Sequence, residues 1–150
     1  MSVVIFVDAD AFPNVLKEIL LRFVQKRAIP TKFIANKKIS IPNVPYIEMH
    51  VVEQGVNEAD DYIAEQCEKG DLVITADIPL ADRIVTKGAI GLDPRGTRYD
   101  ESNIRSLLAI RNLMQELRDA GEMTGGPSAI GEKEKRAFSE TLNALLQKYK

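Results

Sequence analysis

The stretch FVDADAFP places two aspartates, Asp8 and Asp10, with only Ala9 between them, at the end of an apolar run from Val3 to Val7. In extended backbone, residues two apart point to the same side, so the two carboxylates would share one small volume. Like charges held that close repel, and each raises the cost of ionising the other. Coordination of a hard divalent cation offsets that repulsion, because magnesium and manganese take oxygen ligands, often one or two carboxylates together with waters and substrate phosphates. Helix capping is the structural alternative for one of them, but a single helix start does not need both.

Other acids fall where the same chemistry would need them. In open parallel sheets, ligands sit beyond the carboxyl ends of the strands. Asp77 follows the strand-like LVITA, and Asp93 follows a short apolar segment ending at Leu92. The helical stretch EADDYIAEQ holds adjacent aspartates, and its geometry separates them. At 100° per residue, Asp60 lies on the side of Ile63, Ala64 and Cys67, whereas Asp61 lies nearly opposite Ile63. Asp60 is therefore expected to face the sheet and Asp61 the solvent. An inward carboxylate beside others requires a cation, a donor network or a proton. Asp8, Asp10, Asp60 and Asp77 are the expected metal-holding and catalytic set, with Asp93 as a further ligand. Each also has a structural reading: Asp77 as a helix cap, Asp60 as the third residue of a capping box opened by Asn57, and Asp93 before Pro94 as a turn former. Their convergence at one edge of a sheet favours the joint reading over the separate ones.

The elements needed to position these residues alternate between strand and helix, which predicts an α/β fold with a mainly parallel central sheet and helices on its faces. Apolar periodicity predicts a helix over about Pro13 to Arg27, strands at Thr31 to Ala35 and Tyr46 to Val52, and a helix from Asn57 to Gly70. A buried strand follows at Leu72 to Thr75, then a short helix over about Pro79 to Lys87 and a small strand around Ala89 to Leu92. The segments NKKISIPNVP and DPRGTRYDES read as loops. A long helix is expected from about Glu101 to Ala120, stopped by Gly121, and an amphipathic helix after Gly131 carrying Phe138, Leu142, Leu145 and Tyr149.

With 150 residues, 45% of them hydrophobic and 28% charged, the chain has the composition of one ordinary globular domain. The expected division is a core over about residues 1–95 and a helical part over about residues 100–150. No apolar run approaches the roughly 20 residues that span a bilayer, so no membrane partner is expected. The first apolar run is short and lacks a basic leader, which predicts a cytoplasmic protein. The single cysteine, Cys67, permits no intrachain disulfide, and the single histidine, His50, argues against zinc chemistry. A formal charge of -2 gives no global basic footprint, so nucleic-acid binding would require a local patch.

Taken together, DADAFPNVLKE, IANKKISIP, EADDYIAEQCEKGDLVITADIPLADRIVTKGA, LDPRG and RNLMQELRDAGEMTGGP resemble the YaiI/YqxD-like family of uncharacterised bacterial proteins over nearly the whole chain. That family is similar to PIN-type domains, whose sheet gathers acids around magnesium or manganese for phosphodiester cleavage. The resemblance implies a three-layer α/β/α arrangement with the C-terminal helices packed on the sheet, and it puts Asp8, Asp60 and Asp77 in the PIN-like acidic set with Asp10 added. Two positions depart from the pattern. Phe12 stands where family members usually carry cysteine, and Pro79 stands where PIN nucleases often show a second acid, a role Asp82 or Asp93 would have to fill.

A phosphodiester would need cations close to the acids. Lys37, Lys38, Arg95 and Arg98 lie on segments read as loops, where solvated surface is the alternative reading. On the long helix the apolar stripe is Ile104, Leu107, Leu108, Ile110, Met114 and Leu117, and Arg111 and Arg118 fall inside it. Snorkelling past the core edge would explain them, as would pairing with inward carboxylates or a substrate phosphate. Gly125 to Pro127 could offer backbone amides to an anion or simply link two helices. The expected function is a magnesium- or manganese-dependent nuclease or phosphodiesterase, with single-stranded RNA as the expected partner. Two alternatives stay open: a non-catalytic RNA-binding or adaptor module on a PIN-like scaffold, and a haloacid-dehalogenase-type phosphatase with Asp8 as nucleophile.

Overall fold

The computed structural model describes residues 3–10, 12–55, 57–122 and 129–147. Among these, the chain runs β1 (Ile5–Asp8), α1 (Asn14–Arg27), β2 (Thr31–Ala35), β3 (Ile47–Val51), α2 (Glu58–Gln66), β4 (Leu72–Ile74), α3 (Ile78–Thr86), β5 (Ile90–Leu92), β6 (Arg98–Tyr99), α4 (Ile104–Asp119) and α5 (Glu132–Leu146). The strands form one sheet in the order β3-β2-β1-β4-β5-β6. All neighbours pair in parallel except β6, which runs antiparallel to β5.

The period of two along each strand divides the core into two apolar layers. Ile5, Val7, Phe33, Leu72 and Ile74 pack with Leu16, Leu20 and Val24 of α1 and with Phe138 and Leu142 of α5. Phe6, Ile34 and Val73 face the other way, onto Ile63 of α2, Leu80 and Ile84 of α3, and Ile104 of α4. The result is the expected three-layer α/β/α arrangement, with α1 and α5 on one face and α2, α3 and α4 on the other. Among the described residues no helix is long and apolar enough to cross a membrane.

Several boundaries differ from the sequence reading, each for a physical reason. The helix expected to reach Gly70 stops at Gln66. Lys87 Nζ bonds the Ala64 and Glu65 carbonyls at 2.8 and 3.2 Å, and Asp71 gathers the following turn by accepting from the Glu68 amide at 2.8 Å. The capping box expected at Asn57 does not form: its backbone is left-handed, with φ 68°, and its side chain caps nothing. The segment DPRGTRYDES is not wholly loop, because Arg98 and Tyr99 form β6 across a tight turn in which the Asp93 amide donates to the Thr97 carbonyl at 2.8 Å. A two-residue strand inside turn-forming residues has too little periodicity to be read from sequence. Long helix α4 begins at Ile104, after Asn103 Oδ1 accepts from the Asp100 amide at 3.0 Å and Asn103 Nδ2 donates to the Arg98 carbonyl at 2.6 Å. The expected roles of Gly125 to Pro127 and of Tyr149 lie outside the described residues.

Candidate functional site

The strand order reverses direction between β1 and β4, since β2 and β3 lie to one side of β1 and β5 and β6 to the far side of β4. At such a switch point the loops leaving adjacent strands diverge, opening a crevice at the carboxyl edge of the sheet. Asp8 is the last residue of β1, and Asp77 follows β4 at the start of α3. Alternation puts Asp8 on the Phe6 side of the sheet, the side covered by α2 and α3. Asp60, on the inward side of α2, meets it there.

One buried hydroxyl organises the pair of strand ends. Thr75, 1% exposed, donates from Oγ1 to Asp8 Oδ2 at 2.9 Å and accepts from the Asp77 amide at 2.9 Å. Asp77 Oδ1 in turn accepts from the Leu80 amide at 3.1 Å and caps α3. Pro79 sits in the first turn of that helix, where a missing N–H costs nothing. The cap reading of Asp77 is therefore correct, and it coexists with a place in the acid cluster. Asp10 is anchored by the Asn36 amide, which donates to its Oδ1 at 2.8 Å and ties the β1–α1 connection to the end of β2.

The electrostatics follow from this crowding. Burial pushes the Asp8 carboxyl above the usual carboxylate range; the Thr75 hydrogen bond opposes that, and the charges of Asp77 and Asp10 add to it. Asp60 is pushed up to about 7, first by burial, then by a side-chain hydrogen bond with Asp77 and the charges of Asp77 and Asp8, with Arg83 pulling the other way. Two carboxyl groups can bond each other only if one carries a proton. Asp61 turns outward as helical geometry predicts and pairs with Arg83 at 2.8 Å.

Two cavities meet at these acids. Asp8 and Asp10 line both. A pocket of about 110 Å³ is closed on its other sides by Asn36, Glu53, Asn57, Glu58 and Asp60. A cleft of about 530 Å³ lies against Asp77, the apolar residues Phe12, Ile78, Pro79 and Pro94, and the α4 side chains Arg111, Gln115 and Arg118. Sequence reasoning missed Glu53, Glu58, Thr75 and Gln115. Only Gln115 left a signal, as it stands at helical spacing between the two arginines.

The remaining candidates lie elsewhere. Asp93 lines neither cavity; its Oδ1 accepts from the Arg95 amide at 2.6 Å and its Oδ2 from the Tyr99 hydroxyl at 2.8 Å, so it holds the β5–β6 turn. Arg98 lies 3.3 Å from Asp100 in an ion pair. Lys37 and Lys38 are exposed, and with Arg95 and Arg98 they are absent from both linings. His50 stacks on Tyr62 with ring centroids 4.0 Å apart, and Cys67 is buried and free.

A profile of the bacterial family described as "Uncharacterized BCR, YaiI/YqxD family" matches residues 6–148. The chain belongs to that family. Among curated relatives, the UPF0178 protein of Sulfurovum sp. (strain NBC37-1) is 54% identical over 144 residues, covering 96% of this chain and 97% of the relative. The UPF0178 protein of Maridesulfovibrio salexigens is 49% identical over 142 residues, covering 95% and 94%, and that of Shewanella loihica 46% over 145 residues, covering 97% of each. No solved structure matches the chain. Family membership thus extends over both cavities and names no activity for them.

The donor set nevertheless suits a particular class of ion. Every ionisable side chain lining the small pocket is a carboxylate: Asp8, Asp10, Glu53, Glu58 and Asp60. Among the described residues no three His, Cys, Asp or Glu side chains stand close enough to ligate one ion directly. A pocket of about 110 Å³ has room for a few waters at roughly 30 Å³ each, as an ion that keeps part of its hydration shell requires.

Proposed function

We propose that the chain is a magnesium- or manganese-dependent phosphodiester hydrolase acting on nucleic acid, with RNA ahead of DNA, on a PIN-like fold. The observation that supports it most directly is the meeting of Asp8, Asp10, Asp60 and Asp77 at the switch point of the sheet, between a pocket whose ionisable lining is all carboxylate and a cleft that also holds Arg111 and Arg118. Asp8, Asp10 and Asp60 would hold the cation from the pocket side, in part through waters it keeps, with Asp77 completing the set. A divalent ion bound there lowers the pKa of a coordinated water and neutralises charge on the phosphoryl oxygens.

The chain's own residues do the rest. Thr75 holds one Asp8 oxygen through its hydroxyl, and a cation bound here would favour the ionised form of Asp60, whose carboxyl burial and the neighbouring Asp77 and Asp8 otherwise push above the usual range. Arg111 and Arg118 line the same cleft and would bind the ligand's phosphate groups rather than the cation. Hydrolysis adds the oxygen of water to phosphorus and breaks the bond to the leaving oxygen, and the cluster orients that water on the side away from the leaving group.

A second reading has one observation in its favour. Asp77 spends Oδ1 on a helix cap, and Pro79 occupies the place where a second acid would stand. A binding module that has lost turnover would tolerate both.

Cleavage of end-labelled single-stranded RNA and DNA, with magnesium, manganese or chelator, separates the two. Wild type is expected to cut in metal only, and Asp8→Asn to lose at least about 100-fold in rate while keeping its circular dichroism spectrum. Undiminished cutting by Asp8→Asn would sink the hydrolase assignment. Metal binding without cleavage of either nucleic acid would favour the module.

A further inference from the structure

We infer that the face of α4 carrying Arg111, Gln115 and Arg118 is a second phosphate-holding subsite, set one phosphate along the chain from the phosphodiester presented to the aspartates, and that it admits the nucleotide chain as a single strand. This rests on the reading of the acids as a phosphodiester site and states which part of the ligand each wall takes.

Positions 111, 115 and 118 follow the i, i+4, i+7 spacing of one helix face, and all three line the same cleft as Asp8, Asp10 and Asp77. Their donors are largely unspent. Arg111 gives one bond, at 3.2 Å, to its neighbour Asn112, and the Arg118 guanidinium makes no hydrogen bond or ion pair among the described residues. Elsewhere Arg83, Arg98 and Lys135 each meet a carboxylate. Two guanidiniums that share a cleft with a cluster of acids yet form no ion pair with any of them point to an anion supplied from outside. The planar fork of arginine suits a phosphate group, and Gln115 adds an amide donor between the two.

The space between the walls says what else the ligand carries. Phe12, Ile78, Pro79 and Pro94 give the cleft an apolar side on which a base or sugar can rest. Phe12 is steadied from beneath by Phe138, their ring centroids 6.0 Å apart. A volume of about 530 Å³ lies within the roughly 300–1,000 Å³ typical of small-ligand sites, enough for one nucleotide with its flanking phosphates. A base-paired duplex, with stacked bases hidden between two backbones, cannot present one nucleotide to both walls.

The test is anisotropy of a short 5′-labelled single-stranded RNA, and of the same strand annealed to its complement, with the full chain in calcium over about 50–200 mM salt. Arg111→Gln and Arg118→Gln are each expected to weaken single-strand binding roughly 3- to 10-fold and to flatten the log–log salt slope by about 0.7. Arg22→Gln, on the exposed side of α1, is expected to leave both unchanged, and the duplex to bind more weakly than the single strand. Wild-type affinity and slope in both cleft variants, equal binding of duplex and single strand, or no binding by wild type would each overturn the subsite. Arginine-dependent binding without cleavage in any metal would instead remove the hydrolase reading and keep the subsite. Metal-dependent cleavage with wild-type KM in both arginine variants would keep the hydrolase and remove the subsite.

Discussion

Asp60 carries the sharpest consequence at the scale of single residues. In the folded protein its carboxyl holds a proton up to about pH 7, against 3.8 for the unperturbed group. Between those values the folded state binds more protons than the unfolded one, so stability falls as pH rises, and above about 7 the loss is complete. Asp8, shifted in the same direction, adds to the fall. Thermal melts in chelator should therefore show the melting temperature declining from pH 4 toward neutrality, and Asp60→Asn should flatten that decline. A divalent cation should raise the melting temperature most at neutral pH, where the carboxyls must otherwise ionise against one another. A profile for Asp60→Asn as steep as wild type would show that the crowding of carboxyls is not felt in the folded state.

At the scale of elements, the β5–β6 turn is the joint that docks α5 onto the sheet. Gly96 has φ 96°, and a Cβ there would stand 2.6 Å from the backbone carbonyl carbon of Ala137. Its carbonyl also accepts from Thr141 Oγ1 of α5 at 2.8 Å. Gly96→Ala is expected to cost about 2–4 kcal/mol in urea unfolding, from the left-handed backbone and the forced separation of the turn from α5 together. Gly121, with φ 76° and nothing within 4 Å of where a methyl group would stand, isolates the first effect, and Gly121→Ala should cost about 1–2 kcal/mol. Equal costs at the two sites would mean that the turn can move off α5 freely. The same comparison shows what the sequence conceals: both glycines sit in turn-like segments, and only the packing of α5 distinguishes them.

Across the whole molecule, α4 is the described helix with the fewest buried residues. Ile104 is its one buried residue among those described, while Ile110 and Leu113 are 52% and 53% exposed. The apolar stripe read from the sequence therefore covers α3 only in part, and its C-terminal turns are free to carry the cleft arginines. Local opening follows the amount of apolar surface buried, so amide exchange should be fastest in the C-terminal half of α4 and slowest in β1 and β4 at the centre of the sheet. Protection of α4 equal to that of β1 would contradict this ranking. Added single-stranded RNA should slow exchange in α4 before any other helix.

Sequence by itself determined the alternation of strands and helices apart from β6, a mainly parallel sheet with helices on its faces, and the inward turn of Asp60 against the outward turn of Asp61, because periods of 2 and 3.6 residues are local properties of the chain. It also singled out Asp8, Asp10 and Asp77 at strand ends, and Arg111 and Arg118 within an apolar stripe. Tertiary structure alone decided the rest. Asp93 went to a turn because Tyr99, six residues on, returned as a strand to take its second oxygen. Glu53, after β3, and Glu58, the first residue of α2, joined the small pocket because packing brings both beside Asp8 at the end of β1. Arg111 and Arg118, rather than Lys37 and Lys38, came to face the acids because α4 packs on α3 across the open end of the sheet. Such choices rest on which distant segments meet, and residue spacing along the chain holds no record of that.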